Sequence, residues 1–295
     1  MPEGDTVWRT ARRLHAALAG QAAQLVDLRW GDLDEAPLRG ATVEEVRPRG
    51  KHLLHRFDSG WTLHTHLRME GSWRVEAAGS SAAALGLRRP DLRAAVGSPS
   101  WTTLGLSLGE VDVVRTVDEH RLVGHLGPDV LGDDWDPDEV ADRVARSPEG
   151  RSVAAVLLDQ RLLAGVGTFW ASEALFAQRL HPWRPATDLD PEEIEALVDR
   201  VHLMMLRGRE HAVQSSTGIL RADRRSWVHG RSGRPCRRCG ATVRVAALGD
   251  RTLGDGAPGD GAQDRVFFSC PGCQGGPAPT DDGRPQAPLG ARRRR

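Results

Sequence analysis

A chain of 295 residues and 32.1 kDa has room for about two compact domains and a small third. With 39% hydrophobic residues and 33 glycines it has the apolar share of a globular protein, which excludes a mainly disordered or fibrous chain. The formal charge is zero, no apolar run reaches the roughly eighteen residues of a membrane span, and Glu3 and Asp5 stand where a secretory signal needs basic residues, so the expectation is a cytosolic protein.

In chain order, residues 6–19 (TVWRTARRLHAALA) predict a helix. Val7, Leu14 and Leu18 recur at helical spacing, Asp5 or Thr6 can cap the start, and Gly20 ends it. From about 25 to 125 the pattern becomes short strand-like runs broken by glycine, among them TVEEVRPRGKHLLHRF (42–57), WTLHTHLRM (61–69) and VDVVRTV (111–117). These predict a β-sandwich or barrel. The stretch 77–100 has little periodicity and reads as a mobile loop. At GDDWDPDEV (132–140) the chain turns helical and stays so to about residue 213. SVAAVLLDQRLLA (152–164) and FWASEALFAQRL (169–180) flank the turn Gly165-Val166-Gly167-Thr168, and Asp190 with Pro191 opens a further helix over 190–212. A loop-rich module, about 226–275, holds all four cysteines, and 276–295 has the composition of a disordered tail.

The zero net charge hides an asymmetry: 221–295 carries 15 basic and 7 acidic residues, and 221–244 holds eight arginines against the one acid Asp223. A basic third on an acidic body is an electrostatic footprint for nucleic acid, against the plainer reading of a basic tail, since 292–295 supply half of the excess. Asn and Tyr are absent, Ile occurs twice, and one Lys stands against 39 Arg. All four have A/T-rich codons, so a GC-rich genome explains the pattern. The surviving Lys51 is then a candidate for a role that arginine, which holds its proton above about pH 12, cannot fill.

Four constellations carry chemistry. Cys236-x2-Cys239-x30-Cys270-x2-Cys273 is two knuckles of two thiolates, the pattern of one tetrahedral structural zinc; a redox pair is the alternative, but nothing nearby resembles a thioredoxin unit. The long gap holds TLGDGAPGDGAQD (252–264), which reads as an insertion at a hairpin tip. Removal of Met1 would expose Pro2 as a secondary amine. An α-amino group with a pKa near 8, against about 10.4 for lysine, leaves roughly several hundred times more neutral nucleophile at pH 7, and Glu3 beside it could move protons. A frayed, solvated terminus is the plainer reading. Gly165 and Gly167 at a turn opening a helix can aim backbone N–H groups at a phosphate, or serve only tight packing. Arg265, five residues before Cys270, ends the proposed hairpin.

The order MPEG at the start, RGKHLL at 49–54, HLRMEGSW at 66–73, LGPDVL at 126–131, LLDQRLLAGVGTFWASE at 157–173 and RVFFSCPGCQ at 265–274 resembles the formamidopyrimidine-DNA glycosylase/endonuclease VIII family, over residues 1 to about 274. The resemblance implies that Pro2 is the Schiff-base nucleophile and Glu3 the proton donor to the leaving base and sugar. It implies that Lys51 contacts phosphate and assists β-elimination, and that Arg265 contacts the backbone and assists the δ step. Gly165, Gly167 and Thr168 fall on the phosphate-gripping loop of a helix–two-turn–helix. Arg68, Met69 and Glu70 fall on the loop that fills the hole left by an everted nucleotide, with Met69 as the wedge. His125 matches a DNA-contacting arginine of some members. Cys236, Cys239, Cys270 and Cys273 would hold one structural Zn2+.

Three positions depart from the family's usual residues: Thr168 stands for Asn, Asp5-Thr6 for Pro-Glu, and His229 for Tyr. Glycine at position 4 and a short 212–226 segment favour the endonuclease VIII branch, hence oxidised pyrimidines, with formamidopyrimidine or 8-oxoguanine as runner-up. A weakly catalytic lesion-binding paralogue is the competing class, and a zinc-ribbon transcription module leaves 1–220 unexplained. The expectation is a multidomain α+β chain: 1–128, an N-terminal helix with a β-sandwich; 132–225, helical; 226–275, a zinc-finger hairpin; 276–295, a disordered basic tail. Its partner would be damaged double-stranded DNA, not a membrane; it would act as a monomer in the bacterial cytosol and nucleoid.

Overall fold

The computed structural model describes residues 2–249 and 265–288, and the chain forms two units, Met1–His125 and Leu126–Arg295. In the first, helix α1 (Gly4–Leu18) starts two residues before the periodicity suggests. Glu3 takes the capping position in extended backbone, and its carbonyl accepts from the Thr6 and Val7 N–H groups at 2.9 and 3.0 Å. Val7, Leu14 and Leu18 are buried, as their spacing predicts.

Strands β1 (Leu25–Leu28), β2 (Val43–Arg49), β3 (His52–Phe57), β4 (Trp61–His66) and β5 (Ser72–Ala77) follow, then helix α2 (Ser81–Leu87), and β6 (Leu92–Gly97), β7 (Trp101–Leu106) and β8 (Glu110–Arg115). They form two four-stranded antiparallel sheets, in the orders β1-β6-β7-β5 and β2-β3-β4-β8. One core takes Val26, Ala94 and Val96 from the first sheet, Val46, Leu53, Phe57 and Leu63 from the second, and the apolar stripe of α1. This is the expected sandwich. The stretch 77–100 is not the mobile loop its composition suggests. Ser80 caps α2 by accepting from the Ala83 N–H at 3.1 Å, and β6 is an inner strand paired with both β1 and β7. A short helix α3 (His120–Val123) closes the unit.

The second unit begins with α4 (Pro137–Ala145), whose Asp136 cap accepts from the Asp138 and Glu139 N–H groups at 3.0 and 3.2 Å. Helix α5 (Val153–Leu158) is shorter than the predicted 152–164, because the Asp159 carboxylate accepts from the Arg161 backbone N–H at 3.0 Å and folds the chain into a turn. Helix α6 (Thr168–Gln178) is buried on every side through Phe176, its apolar residues being spread all round the helix rather than along one stripe. Helix α7 (Pro191–Gly208) packs on α4 and α6 and starts from the expected Asp190–Pro191 signal, with a capping box completed by Glu193. The hairpin β9 (Arg244–Ala247) and β10 (Val266–Ser269) follows; the predicted insertion 252–264 lies outside the described residues.

The described part of the tail, 276–288, is held against this hairpin. The Arg244 Nε donates to Asp281 at 2.6 Å, and the Gln286 side-chain amide accepts from the Val245 N–H and donates to the Val245 carbonyl, each at 2.8 Å. Strand β9 pairs with β10 on one side only, so the Gln286 amide stands in for a neighbouring strand on the other. The basic run 292–295 lies outside the described residues.

His55 on β3 is wholly buried, its ring edge-on to Trp73 at 5.2 Å. Burial pushes its imidazole down to about 4. Between that value and the ordinary value near 6.5 the unfolded chain binds a proton that the folded chain does not, so stability falls as pH drops through this window, by up to about 3 kcal/mol. Urea unfolding between pH 7 and 4 is expected to show this loss, and His55→Leu to reduce it; an unchanged slope in the variant would remove His55 as a source.

Candidate active site and metal centre

In the first unit, the structure builds Pro2 and Glu3 into the fold. Glu3 is wholly buried and Pro2 half-buried at the open end of α1, where the helix concentrates N–H groups and positive potential. Asp5, also buried, is paired with Arg9 at 3.0 Å. A carboxylate thus remains beside Glu3 despite the Asp5-Thr6 departure, but it is committed to an ion pair.

Lys51 sits at the tip of the β2–β3 hairpin. Arg49 pairs with His52, so Gly50-Lys51 is a two-residue connection, with Gly50 at φ +57° in the first position where such turns favour glycine. Lys51 is nonetheless 8% exposed. Next to it, His52 is buried, and burial, with His66, His64, His125 and Lys51 nearby, holds its imidazole well below its ordinary value.

Arg68, Met69 and Glu70 follow β4 in a turn closed by the Gly71 N–H on the Leu67 carbonyl at 2.9 Å. Arg68 adopts φ +51°, which is unusual for a side-chain-bearing residue, and its guanidinium is clasped by Glu110. Met69 is 65% exposed at the tip and Glu70 is exposed beside it, so the predicted wedge projects from the turn. His125, the last residue of the unit, is exposed.

In the second unit, Gly165 at φ +96° and Gly167 form the turn into α6, with Thr168 as the helix's first, buried residue. Gln160 holds this turn: its Oε1 accepts from the Gly165 N–H at 3.0 Å, and its Nε2 donates to the Val166 and Leu158 carbonyls at 2.9 and 3.0 Å. One turn into α6 is a residue that sequence reasoning passed over. Glu173 is wholly buried and accepts from the backbone N–H groups of Trp227, Val228 and His229 at 2.7, 2.9 and 2.7 Å, and from the Ser216 hydroxyl. Burial pushes its carboxyl up, against these donors. The ring of His229 lies between Phe169, at 5.2 Å, and Phe268, at 4.7 Å, and burial lowers its pKa to about 4. It fills an aromatic slot as a neutral ring.

Cys236, Cys239, Cys270 and Cys273 converge, all four sulfurs lying within 4.8 Å of one another. The contacts Cys239–Cys270 at 3.4 Å and Cys236–Cys273 at 3.9 Å bracket the roughly 3.8 Å edge of a tetrahedron with metal–sulfur bonds of about 2.3 Å. Both exceed any disulfide. The Ala241 backbone N–H lowers the Cys239 thiol to about 7. The centre packs through Cys236, Cys270 and Phe268 onto Phe176 of α6. Arg265 stands just before β10, its carbonyl accepting from the Leu248 N–H at 2.8 Å, at the loop end of the hairpin.

Residues 1–125 match the formamidopyrimidine-DNA glycosylase N-terminal domain, and residues 126–219 match the formamidopyrimidine-DNA glycosylase H2TH domain. The chain belongs to the formamidopyrimidine-DNA glycosylase/endonuclease VIII family. Among its relatives, probable endonuclease 8 2 of Streptomyces coelicolor is 43% identical over 284 residues, 96% of this chain and 98% of that one. The DNA-(apurinic or apyrimidinic site) lyase Nei2 of Mycolicibacterium smegmatis is 37% identical over 275 residues, 93% and 99% of the two chains. The solved structure of MutM (Fpg) from Thermus thermophilus aligns with a TM-score of 0.74 at 29% identity, covering 94% of this chain and 100% of that one. Membership gives the two-unit α+β fold and the four-cysteine centre a shared origin, and places the chain among DNA-repair glycosylases and lyases.

In this member of the family, α6 depends on the Glu173 acceptor. Glu173→Gln would turn an NH2 group toward backbone donors and is expected to cost about 1–3 kcal/mol. Thermal unfolding checks this; an unshifted midpoint would mean the four bonds contribute nothing net.

Proposed function

We propose that the chain is a bifunctional DNA glycosylase/AP lyase of the endonuclease VIII type, acting on oxidised pyrimidines in damaged duplex DNA. The observation that carries the proposal is the start of α1: half-buried Pro2, a secondary amine once Met1 is removed, adjoins the wholly buried carboxylate of Glu3, a nucleophile next to a proton donor. The neutral Pro2 amine attacks C1′ of an everted nucleotide while Glu3 protonates the departing base; the Glu3 carboxylate then takes the N–H proton of the new ammonium and delivers it to the ring oxygen as the sugar opens. The resulting iminium acidifies C2′; loss of a C2′ proton expels the 3′ phosphate, and a second elimination expels the 5′ phosphate. Lys51 contacts phosphate and exchanges a proton during elimination, and Arg265 assists the second step. Met69 fills the vacated stack, and Arg68, Glu70, His125, Gly165, Gly167 and Thr168 contact DNA. A monomer working at the bacterial nucleoid belongs to the same proposal.

The relatives' names support this reading: the Mycolicibacterium protein is called an AP lyase and the Streptomyces protein an endonuclease 8. Borohydride should trap a covalent complex with abasic duplex DNA, and an N-terminal extension that blocks the Pro2 amine should abolish it. Undiminished trapping would overturn Pro2 as nucleophile. Parallel thymine-glycol and 8-oxoguanine duplexes rank the lesions. Lys51→Arg is expected to keep most DNA affinity yet slow strand cleavage, because arginine stays protonated throughout; cleavage at the parent rate would end the catalytic role of Lys51.

The four cysteines are proposed to hold one structural zinc. Four thiolates fill the tetrahedron and leave no position for water, so the ion would supply folding energy rather than chemistry. Elemental analysis should find one zinc equivalent fewer in Cys239→Ser than in the parent chain; an unchanged zinc content would overturn the ligand set.

A further inference from the structure

One face of the second sheet carries groups that neither the sandwich core nor the proposed reaction uses. The strand register sets His52 opposite His66, His66 opposite Glu110, and His64 opposite Asp112, so these side chains share a face. His52 Nδ1 lies 2.8 Å from His64 Nε2, and His64 Nδ1 lies 2.9 Å from Asp112 Oδ2. An ionised carboxylate only accepts, so neutral His64 carries its proton on Nδ1 and turns the lone pair of Nε2 toward His52. One ring nitrogen from each of His52 and His64 and a carboxylate oxygen of Glu110 lie within 4.8 Å of one another. The two imidazoles are 6% and 1% exposed.

We propose that His52, His64 and Glu110 form a site for a divalent transition ion of the Zn2+ or Co2+ class, separate from the four-cysteine centre. Two imidazoles and one carboxylate suit such ions, whereas Mg2+ and Ca2+ prefer oxygen shells. Three protein ligands leave a fourth position open. Asp112 stands behind His64 as the carboxylate that fixes a ligating ring's tautomer and orientation. The ion takes the place of the proton between the two rings, and that proton moves to His52 Nε2, leaving the ring neutral. Tetrahedral bonds of about 2.0–2.1 Å set the nitrogens about 3.3 Å apart, so the 2.8 Å contact opens by roughly half an ångström. Glu110 also clasps Arg68, so the ion competes with that ion pair, and occupancy loosens the turn that carries Met69.

The test uses the full chain with its cysteine centre loaded with zinc, titrated with Co2+. A second equivalent should bind, with the visible absorption of nitrogen and oxygen ligands and no thiolate charge-transfer band. His52→Gln and His64→Gln should each abolish it, while Asp112→Asn weakens it by about 10- to 100-fold. In the native chain, which needs no variant to fold, Zn2+ should shift the 15N resonances of His52 Nδ1 and His64 Nε2 and leave those of His55 in place. Absence of a second equivalent, its persistence in both Gln variants, or unmoved His52 and His64 resonances would overturn the site.

Discussion

The second unit is organised around one buried carboxylate. Glu173 projects from α6, a helix with no polar face, and accepts from three successive backbone N–H groups of 227–229. An ionised acceptor at this point is costly to bury, and burial does raise its pKa, but the alternative is worse: three buried donors without an acceptor. The same contact fixes where the segment leading to the first cysteine knuckle leaves α6. The knuckles then close over Phe176, with the Arg238 guanidinium 4.1 Å above that ring. The glycine turn at the front of α6 and the four-cysteine centre behind it are therefore set by one helix, pinned by one side chain.

The first unit solves a different problem: it must hold cationic groups at the ends of a sandwich whose interior is apolar. Hairpin geometry does this for Lys51, because a two-residue connection leaves its tip residue no freedom to drift. Arg68 is placed by a left-handed backbone and the Glu110 clasp together, a conformation that is held only because the ion pair and the following turn over-determine it. Neither arrangement draws on the hydrophobic core. The core fixes the strands, and the strand ends fix the charges.

Much of this was legible from residue pattern. The apolar stripe of α1, the glycine-punctuated strands, the Asp190–Pro191 helix start and the paired cysteine knuckles each carry their own physical cause in the sequence. The missed elements lack one. Helix α2 and strand β6 are built largely from Ala and Gly, which pack by smallness and leave almost no hydrophobic period to read. Glu173 looks like a surface acid until the backbone donors that meet it, over fifty residues away, are known. Gln286 sits in a tract with the composition of disorder and is ordered by a single open strand edge. The cluster of His52, His64 and Asp112 comes from three strands whose register no local pattern states.

The composition, read with the structure, separates positions that need a shape from positions that need a chemistry. A chain without tyrosine still needs a flat ring between Phe169 and Phe268, and His229 supplies one because burial keeps it neutral. A chain without asparagine still needs a small residue to open α6, and Thr168 fits there, buried at the first helical position while Gln160 holds the turn before it. Arginine has replaced lysine everywhere a fixed positive charge suffices, including the clasp at Arg68 and the end of the hairpin at Arg265. At the tip of β2–β3 it has not. A guanidinium would carry the same charge to a phosphate there; in the proposed reaction the retained lysine is instead the group that gives up its proton.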